Sequence, residues 1–340
     1  MDRNDALLAD WRTRALALEA EVGKAVIGQQ RPLRLINTAV FARGHVLLQG
    51  DVGVGKTTLL RAFAQVLGGA FARIEGTVDL MPNDLVYHTY IGEQGRPAVE
   101  PGPLIGHGED LAIFFFNEIN RARPQVHALL LRAMAERSVA AFNREFVLPH
   151  LLVFADRNRV EREETFEISA AARDRFMMEI AIDAPADDGA RSELMFDPRF
   201  HDTERLIGAL AAAMVPHREL NAAAELVQRS VKTSAALQAY ALALWRATAA
   251  PHEFGVTLPD VDAAQLMLAG ASPRGMSLLL RAARVAAWLQ ERLYVTPEDV
   301  QAVFVESIAH RLCFQPVYEL HRPTIAPLLM AAIVAAVAAP

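Results

Sequence analysis

Nine residues constrain this chain more than any others: Gly50, Asp51, Val52, Gly53, Val54, Gly55, Lys56, Thr57 and Thr58. The first eight satisfy G-x-x-x-x-G-K-[ST] at every fixed position, after the apolar run HVLLQ (45–49) and before the helical run TTLLRAFAQVL. Strand, glycine-rich turn and helix in that order make a phosphate cradle. Glycines let backbone N–H groups turn inward around phosphate oxygens, and the helix N-terminus adds positive potential. Lys56 then reaches the β- and γ-phosphates, and Thr57 offers its hydroxyl to Mg²⁺. Only Lys24, Lys56 and Lys232 are lysine among 34 basic residues, so a compact ammonium at position 56 stands out in a chain that otherwise uses arginine. Asp51 is expected to point outward, because a carboxylate aimed at a triphosphate is repelled.

Around this motif, residues 1–185 alternate short apolar runs with helical patterns, as in an α/β domain with a largely parallel sheet. The strand candidates are HVLLQ (45–49), ARIEG (72–76), LAIFFF (111–116), LLVFA (151–155) and MMEIAI (177–182). Residues 186–312 turn Ala- and Leu-rich with helical periodicity and read as a separate helical domain; residues 313–340 form an apolar tail. Two segments interrupt the first domain: YIGEQGRPAVEPGP (90–103) and SVAAFNREFVLP (138–149), the second with Asn143 between runs that can pair as a hairpin. The formal charge of -6 disfavours a nucleic-acid partner, and the single Cys313 excludes an internal disulfide or a multi-cysteine metal site. A cytoplasmic protein is expected. The 13 residues after Pro327 fall short of a helical membrane span.

The run FFFNEINR (114–121) raises the main chemical question. A second sheet strand should deliver Asn117 and Glu118 at its carboxyl edge, where α/β sheets bind ligands. Many nucleotide-hydrolysing enzymes carry Asp-Glu after such a strand, and the resemblance to that pattern implies that Glu118 polarises the attacking water. Asn117 can accept a hydrogen bond from a metal-bound water but brings no charge, so weaker Mg²⁺ holding is expected.

These pieces together resemble the AAA+ ATPases and, more narrowly, the MoxR family, over about residues 23–310. VIGQQ (26–30) resembles the adenine-side entry, with Ile27 and Gly28 bordering the base. GDVGVGKTT resembles the Walker A loop, and FFFNEINRARPQVHALLLRAMAE the Walker B strand and following helix, with Asn117 where the family has Asp. FADRNR resembles the sensor-1 strand end and implies a γ-phosphate role for Asn158; AARDRF resembles the arginine-finger segment and implies that Arg175 serves a neighbouring subunit; GASPRG resembles the sensor-2 start of a lid helix and implies a γ-phosphate role for Arg274. The two insertions resemble the helix-2 insert and the pre-sensor-1 hairpin, and the helical part an all-α lid.

The resemblance implies ATP and Mg²⁺ as cofactors, a homo-oligomeric and usually hexameric ring, and chaperone-like remodelling of a client enzyme. It further implies a partner with a von Willebrand factor A domain. FFFNEINR and the segment EETFE (163–167) resemble the branch that serves methanol dehydrogenase maturation. A nucleotide-gated scaffold with little turnover is the second reading, because of Asn117. A DNA-dependent motor is the third, and the single Arg of VAAFNREFVL gives it little basic surface to track a strand.

Overall fold

The computed structural model describes residues 3–92, 94–158 and 166–340. Glu163, Glu164 and Thr165 of the EETFE segment lie outside them. By contacts the described chain forms two compact units, one of Thr13–Arg175 and Ile180–Ala222, the other of Met1–Arg12, Phe176–Glu179 and Ala223–Pro340.

The first unit is built on a sheet in the order β2-β5-β8-β1-β9. Its strands are β1 (Val46–Gln49), β2 (Ala70–Glu75), β5 (Leu111–Asn117), β8 (Leu152–Arg157) and β9 (Met178–Ala181), of which Ile180 and Ala181 fall in this unit. All five coincide with the apolar runs of the sequence. β2, β5, β8 and β1 pair in parallel. Every residue of β5 is buried, which is why its sequence is a continuous apolar run rather than an alternating one. α1 (Arg3–Gly23), from Thr13 onward, α2 (Gln30–Phe41), α3 (Lys56–Leu67) and α4 (Pro124–Glu136) are the principal helices of its N-terminal part. α3 stops at Gly68, which takes a left-handed conformation (φ 68°) and donates its N–H to Ala64 O, closing the helix end.

Both interrupting segments are hairpins: β3 (Tyr87–Ile91) with β4 (Pro97–Pro101), and β6 (Ser138–Ala141) with β7 (Arg144–Val147). In the second, Phe142 and Asn143 both have positive φ (52° and 55°), the conformation of a type I′ turn that matches strand twist.

By contacts, the short helices that follow β9, up to Ala222, group with the sheet. Arg61 of α3 forms a paired ion contact at 2.6 Å with Glu204, in α7 (Thr203–Gly208), and Val215 N donates to Val66 O. Neither contact leaves a periodicity in the sequence.

In the second unit, α10 (Pro273–Leu289) begins at Ser272, whose Oγ accepts from Gly275 N, with Pro273 pre-set for the first turn. α11 (Pro297–Ile308) begins with a reciprocal Thr296–Asp299 capping box, and Arg292 grips both Asp299 oxygens at 2.6 and 2.7 Å. The apolar tail is part of this unit: Cys313–Phe314 pairs with Met267–Ala269, and the helix Arg322–Ala336 buries Ile325, Ala326, Leu329, Met330 and Ile333. Among the described residues no helix is long and apolar enough to cross a membrane.

Candidate nucleotide site

The loop between β1 and α3 has the geometry a phosphate cradle needs. Gly53 and Gly55 take left-handed conformations (φ 82° and 89°), and a Cβ added at either would meet nothing within 4 Å. Gly50 is required for a different reason. A Cβ there would sit 2.3 Å from Ile182 O, so the strand can leave the sheet at this point only without a side chain. Asp51 and Val52 are exposed, Asp51 on the outside as charge repulsion demands, while Thr57 and Thr58 stand half-buried in the first turn of α3.

A cavity of about 390 Å³ opens beside the loop, lined by Val54, Gly55 and Thr58 on one side and by Ile27, Pro185 and Phe200 on the other. Gly28 holds this wall together: its φ is 72°, and a Cβ would come within 2.8 Å of Pro185 Cβ. Gln29 Nε2 donates to Asp183 O at 2.6 Å and ties the same two segments. An aromatic base fits such an apolar slot next to a phosphate loop.

Lys56 is nearly buried. Its Nζ donates to Gly50 O at 2.7 Å and lies 2.7 Å from Asp156 Oδ2, in an ion pair whose carboxylate side chain is only 1% exposed. The other oxygen, Asp156 Oδ1, accepts the backbone N–H of Glu118 at 2.5 Å. Asp156 thus joins the phosphate loop to the end of β5. Burial raises its pKa, outweighing the opposing pull of Lys56 and of the Glu118 N–H.

Glu118 is itself held in an unusual conformation, φ 53° and ψ 50°, that a non-glycine residue rarely adopts. Its carbonyl packs against Gly76, where a Cβ would come within 2.1 Å, and Gly76 N donates to Asn117 O at 2.7 Å. The backbone of Glu118 is therefore fixed from both sides, by Asp156 and by Gly76. Its carboxylate reaches Arg121 Nη1 at 3.0 Å. Such backbone strain, over-determined by its surroundings, is typical of working sites.

Asn117 ends β5 in register with Glu75 of β2, and its Nδ2 donates to Glu75 Oε1 at 2.6 Å. Its amide nitrogen is therefore committed sideways along the sheet edge, leaving the amide oxygen as its remaining acceptor. Asn158 follows directly on β8 and is buried. Arg175 lies past the short helix α5 (Ala170–Arg173), with Nη1 donating to Ala171 O at 3.0 Å. The next residues, Phe176 and Met177, belong to the second unit, where buried Arg311 takes their carbonyls at 2.5 and 3.3 Å. Arg274 also belongs to that unit, exposed in the first turn of α10.

The structure thus brings Lys56, Glu118 and, through its strand, Asn117 together at one sheet edge. It adds Asp156, Glu75, Gly76 and Arg121, none of which the sequence reading selected as functional. The sequence carries one signal for Asp156: it is the single acid near the end of an otherwise apolar strand, in the FADRNR segment that also holds Asn158.

A glycine cradle at the carboxyl edge of a parallel sheet, an acid near the end of β8 (Asp156) with another just past the neighbouring β5 (Glu118), and a helical unit define an ATPase of the AAA class. Residues 45–178 match the model of the ATPase family associated with various cellular activities (AAA), and residues 262–337 that of the AAA lid domain. The chain is 58% identical over 336 residues to Protein MoxR of Methylorubrum extorquens, covering 99% of this chain and 98% of that one. It is 54% identical to Protein MoxR of Paracoccus denitrificans, with 99% of each covered, and 32% identical to Chaperone MoxR1 of Mycobacterium tuberculosis, with 86% and 74% covered. A crystallographically solved candidate ATPase from Cytophaga hutchinsonii is similar with a TM-score of 0.81, 28% identity and 96% of each chain covered. The chain belongs to the MoxR family of AAA+ ATPases.

Proposed function

We propose that the chain binds ATP with Mg²⁺ and hydrolyses it, as a subunit of a hexameric ring in the cytoplasm, to remodel or mature a client enzyme. The observation that carries this reading is the joined constellation of Lys56, Asp156 and Glu118 at the open end of the phosphate loop. The residues present suit the nucleotide. Gly50 to Thr58 would surround the phosphates, Ile27 and Gly28 would border the base, and Thr57 with the Asn117 oxygen would stand on the metal side. Mg²⁺, when bound, supplies charge neutralisation for the reacting phosphates. Glu118 would orient and polarise the water, Asn158 and Arg274 would contact the γ-phosphate, and Arg175 would complete the site of a neighbouring subunit.

The resemblance of FFFNEINR and EETFE to the methanol-oxidation branch supports methanol dehydrogenase as client, and the wider family resemblance supports a von Willebrand factor A domain protein as partner. One observation supports the slower alternative, a nucleotide-gated scaffold: the Glu118 carboxylate is engaged by Arg121 and must leave it to address water. A DNA motor is disfavoured, because β6 and β7 carry Arg144 as their only basic residue.

Phosphate release by the purified protein, with and without DNA and with Glu118→Gln as control, tests the reading. Steady turnover that DNA leaves unchanged and Glu118→Gln abolishes is the expected result. Nucleotide-dependent assembly without turnover would move the function to the scaffold. Stimulation by DNA would move it to the motor.

A further inference from the structure

We propose that Asp156, from β8, supplies the negative charge on the metal side of the nucleotide that position 117 of β5 lacks. The assignment rests on the nucleotide reading above and deepens it.

The geometry points there from three directions. First, the register pairs Phe116 of β5 with Ala155 of β8, so the next residues, Asn117 and Asp156, end adjacent parallel strands. A carboxylate moved from one to the other shifts by about one strand spacing, roughly 4.8 Å, along the same sheet edge. Second, the neighbouring carboxylates are engaged elsewhere. Glu75 is taken by the Asn117 amide and by Arg73 at 2.7 Å, and Glu118 by Arg121. Asp156 is the one joined to Lys56, the residue immediately before Thr57. Third, Asp156 is 1% exposed, and a carboxylate is costly to bury unless its place requires the charge. An uncharged group could have accepted the Glu118 N–H; it could not have paired with Lys56.

Mg²⁺ prefers carboxylate and phosphate oxygens and keeps several waters, so one acid beside the loop is what it asks of a protein. The same acid has a second effect. A triphosphate arriving without metal meets a buried negative charge and competes with it for Lys56, whereas with Mg²⁺ that charge is offset. Asp156 therefore makes tight nucleotide binding conditional on the metal.

Equilibrium titration of the full chain with a fluorescent ATP analogue, in Mg²⁺ and in EDTA, gives the factor by which metal tightens binding. Asp156→Asn is expected to bind more tightly than wild type in EDTA and to lose about tenfold or more of the metal factor, as for removal of a charge-assisted hydrogen bond. Asn117→Asp is expected to change the factor by less than about threefold, because the metal side already has its carboxylate. An unchanged factor in Asp156→Asn overturns the assignment. So does a tenfold rise in Asn117→Asp, which decides the matter alone if Asp156→Asn does not fold. If wild type binds no analogue, or Lys56→Ala binds it equally well, the nucleotide reading fails and the assignment falls with it.

Discussion

Lys56 Nζ and Asp156 Oδ2 stand 2.7 Å apart in a site where the lysine side chain is 10% and the aspartate 1% exposed. Removing one partner of a buried ion pair strands the other charge, at a cost of about 3 kcal/mol or more. Lys56→Ala should therefore lower the stability of the protein itself by about that amount in urea unfolding without nucleotide. Lys56→Ala combined with Asp156→Asn should recover more than half of the loss, since the stranded carboxylate is gone. A Lys56→Ala protein as stable as wild type would mean that the pair is solvated, and that the lysine serves nucleotide alone.

The central sheet was legible because each of its strands is an apolar run bounded by polar residues, and the phosphate loop because its glycines have fixed spacing. Asp156, Glu75 and Gly76 were not. Their roles depend on which strand ends lie side by side, and strand order leaves no local periodicity. Residues 186–222 are like the helical part in composition, while their packing through Glu204 and Val215, which composition does not show, joins them to α3. The position of Asn117 after an apolar strand points to the metal side and shows nothing of its partner. Its hydrogen bond to Glu75 comes from a residue 42 positions away.

Gly76 controls the placement of Glu118 without carrying any functional group. A methyl at this position would press within 2.1 Å of Glu118 O and 3.1 Å of Asn117 O, so the strand end must move. A shift of an ångström at a reacting group can lower turnover about 100-fold. Gly76→Ala is expected to show such a fall in phosphate release while nucleotide affinity stays within severalfold of wild type. Equal losses of affinity and turnover would show instead that the whole sheet edge had collapsed.

His150 and His217 stack edge-on with ring centres 5.5 Å apart, and both have pKa values lowered chiefly by burial. Arg43 and Arg218 also disfavour protonation of both rings, and His217 that of His150; Glu109 opposes this at His150 and Asp110 at His217. An imidazole whose folded pKa lies below its unfolded value of about 6.5 leaves the unfolded chain holding more protons at mildly acid pH. The stability these residues contribute is thus present above about pH 6.5 and lost as pH falls toward their folded values. Urea midpoints measured at pH 7.5, 6.5 and 5.5 should decline in wild type. The decline should be shallower in His150→Gln/His217→Gln, and parallel declines would assign the acid sensitivity to other groups.

Arg175, with one guanidinium nitrogen tied to Ala171 O, is followed by two carbonyls that Arg311 anchors. If it completes a neighbouring subunit's site, Arg175→Ala and Lys56→Ala should each be inactive yet recover part of the activity when mixed. Some interfaces would then pair an intact phosphate loop with an intact arginine. Absence of recovery in demonstrably mixed rings would place the action of Arg175 within its own chain.

Asn117 also contributes to the stability of the sheet edge. Its amide nitrogen donates to Glu75 Oε1 at 2.6 Å, while Arg73 holds the other oxygen of Glu75. Asn117→Asp replaces that donor by a carboxylate, so an attractive contact becomes a repulsive one between groups that share a strand register. The expected cost is about 1–3 kcal/mol, the range for a polar group left without its partner, softened because Arg73 remains. Lowering the pH should reduce this cost, since one proton shared between the two acids restores a donor. Asn117→Asp/Glu75→Gln should recover stability at neutral pH by reversing the direction of the hydrogen bond, with the Gln amide donating to the new aspartate. Thermal unfolding of the three proteins at neutral and mildly acid pH decides the matter. If Asn117→Asp melts at or above wild type at both, the amide at position 117 contributes nothing through Glu75.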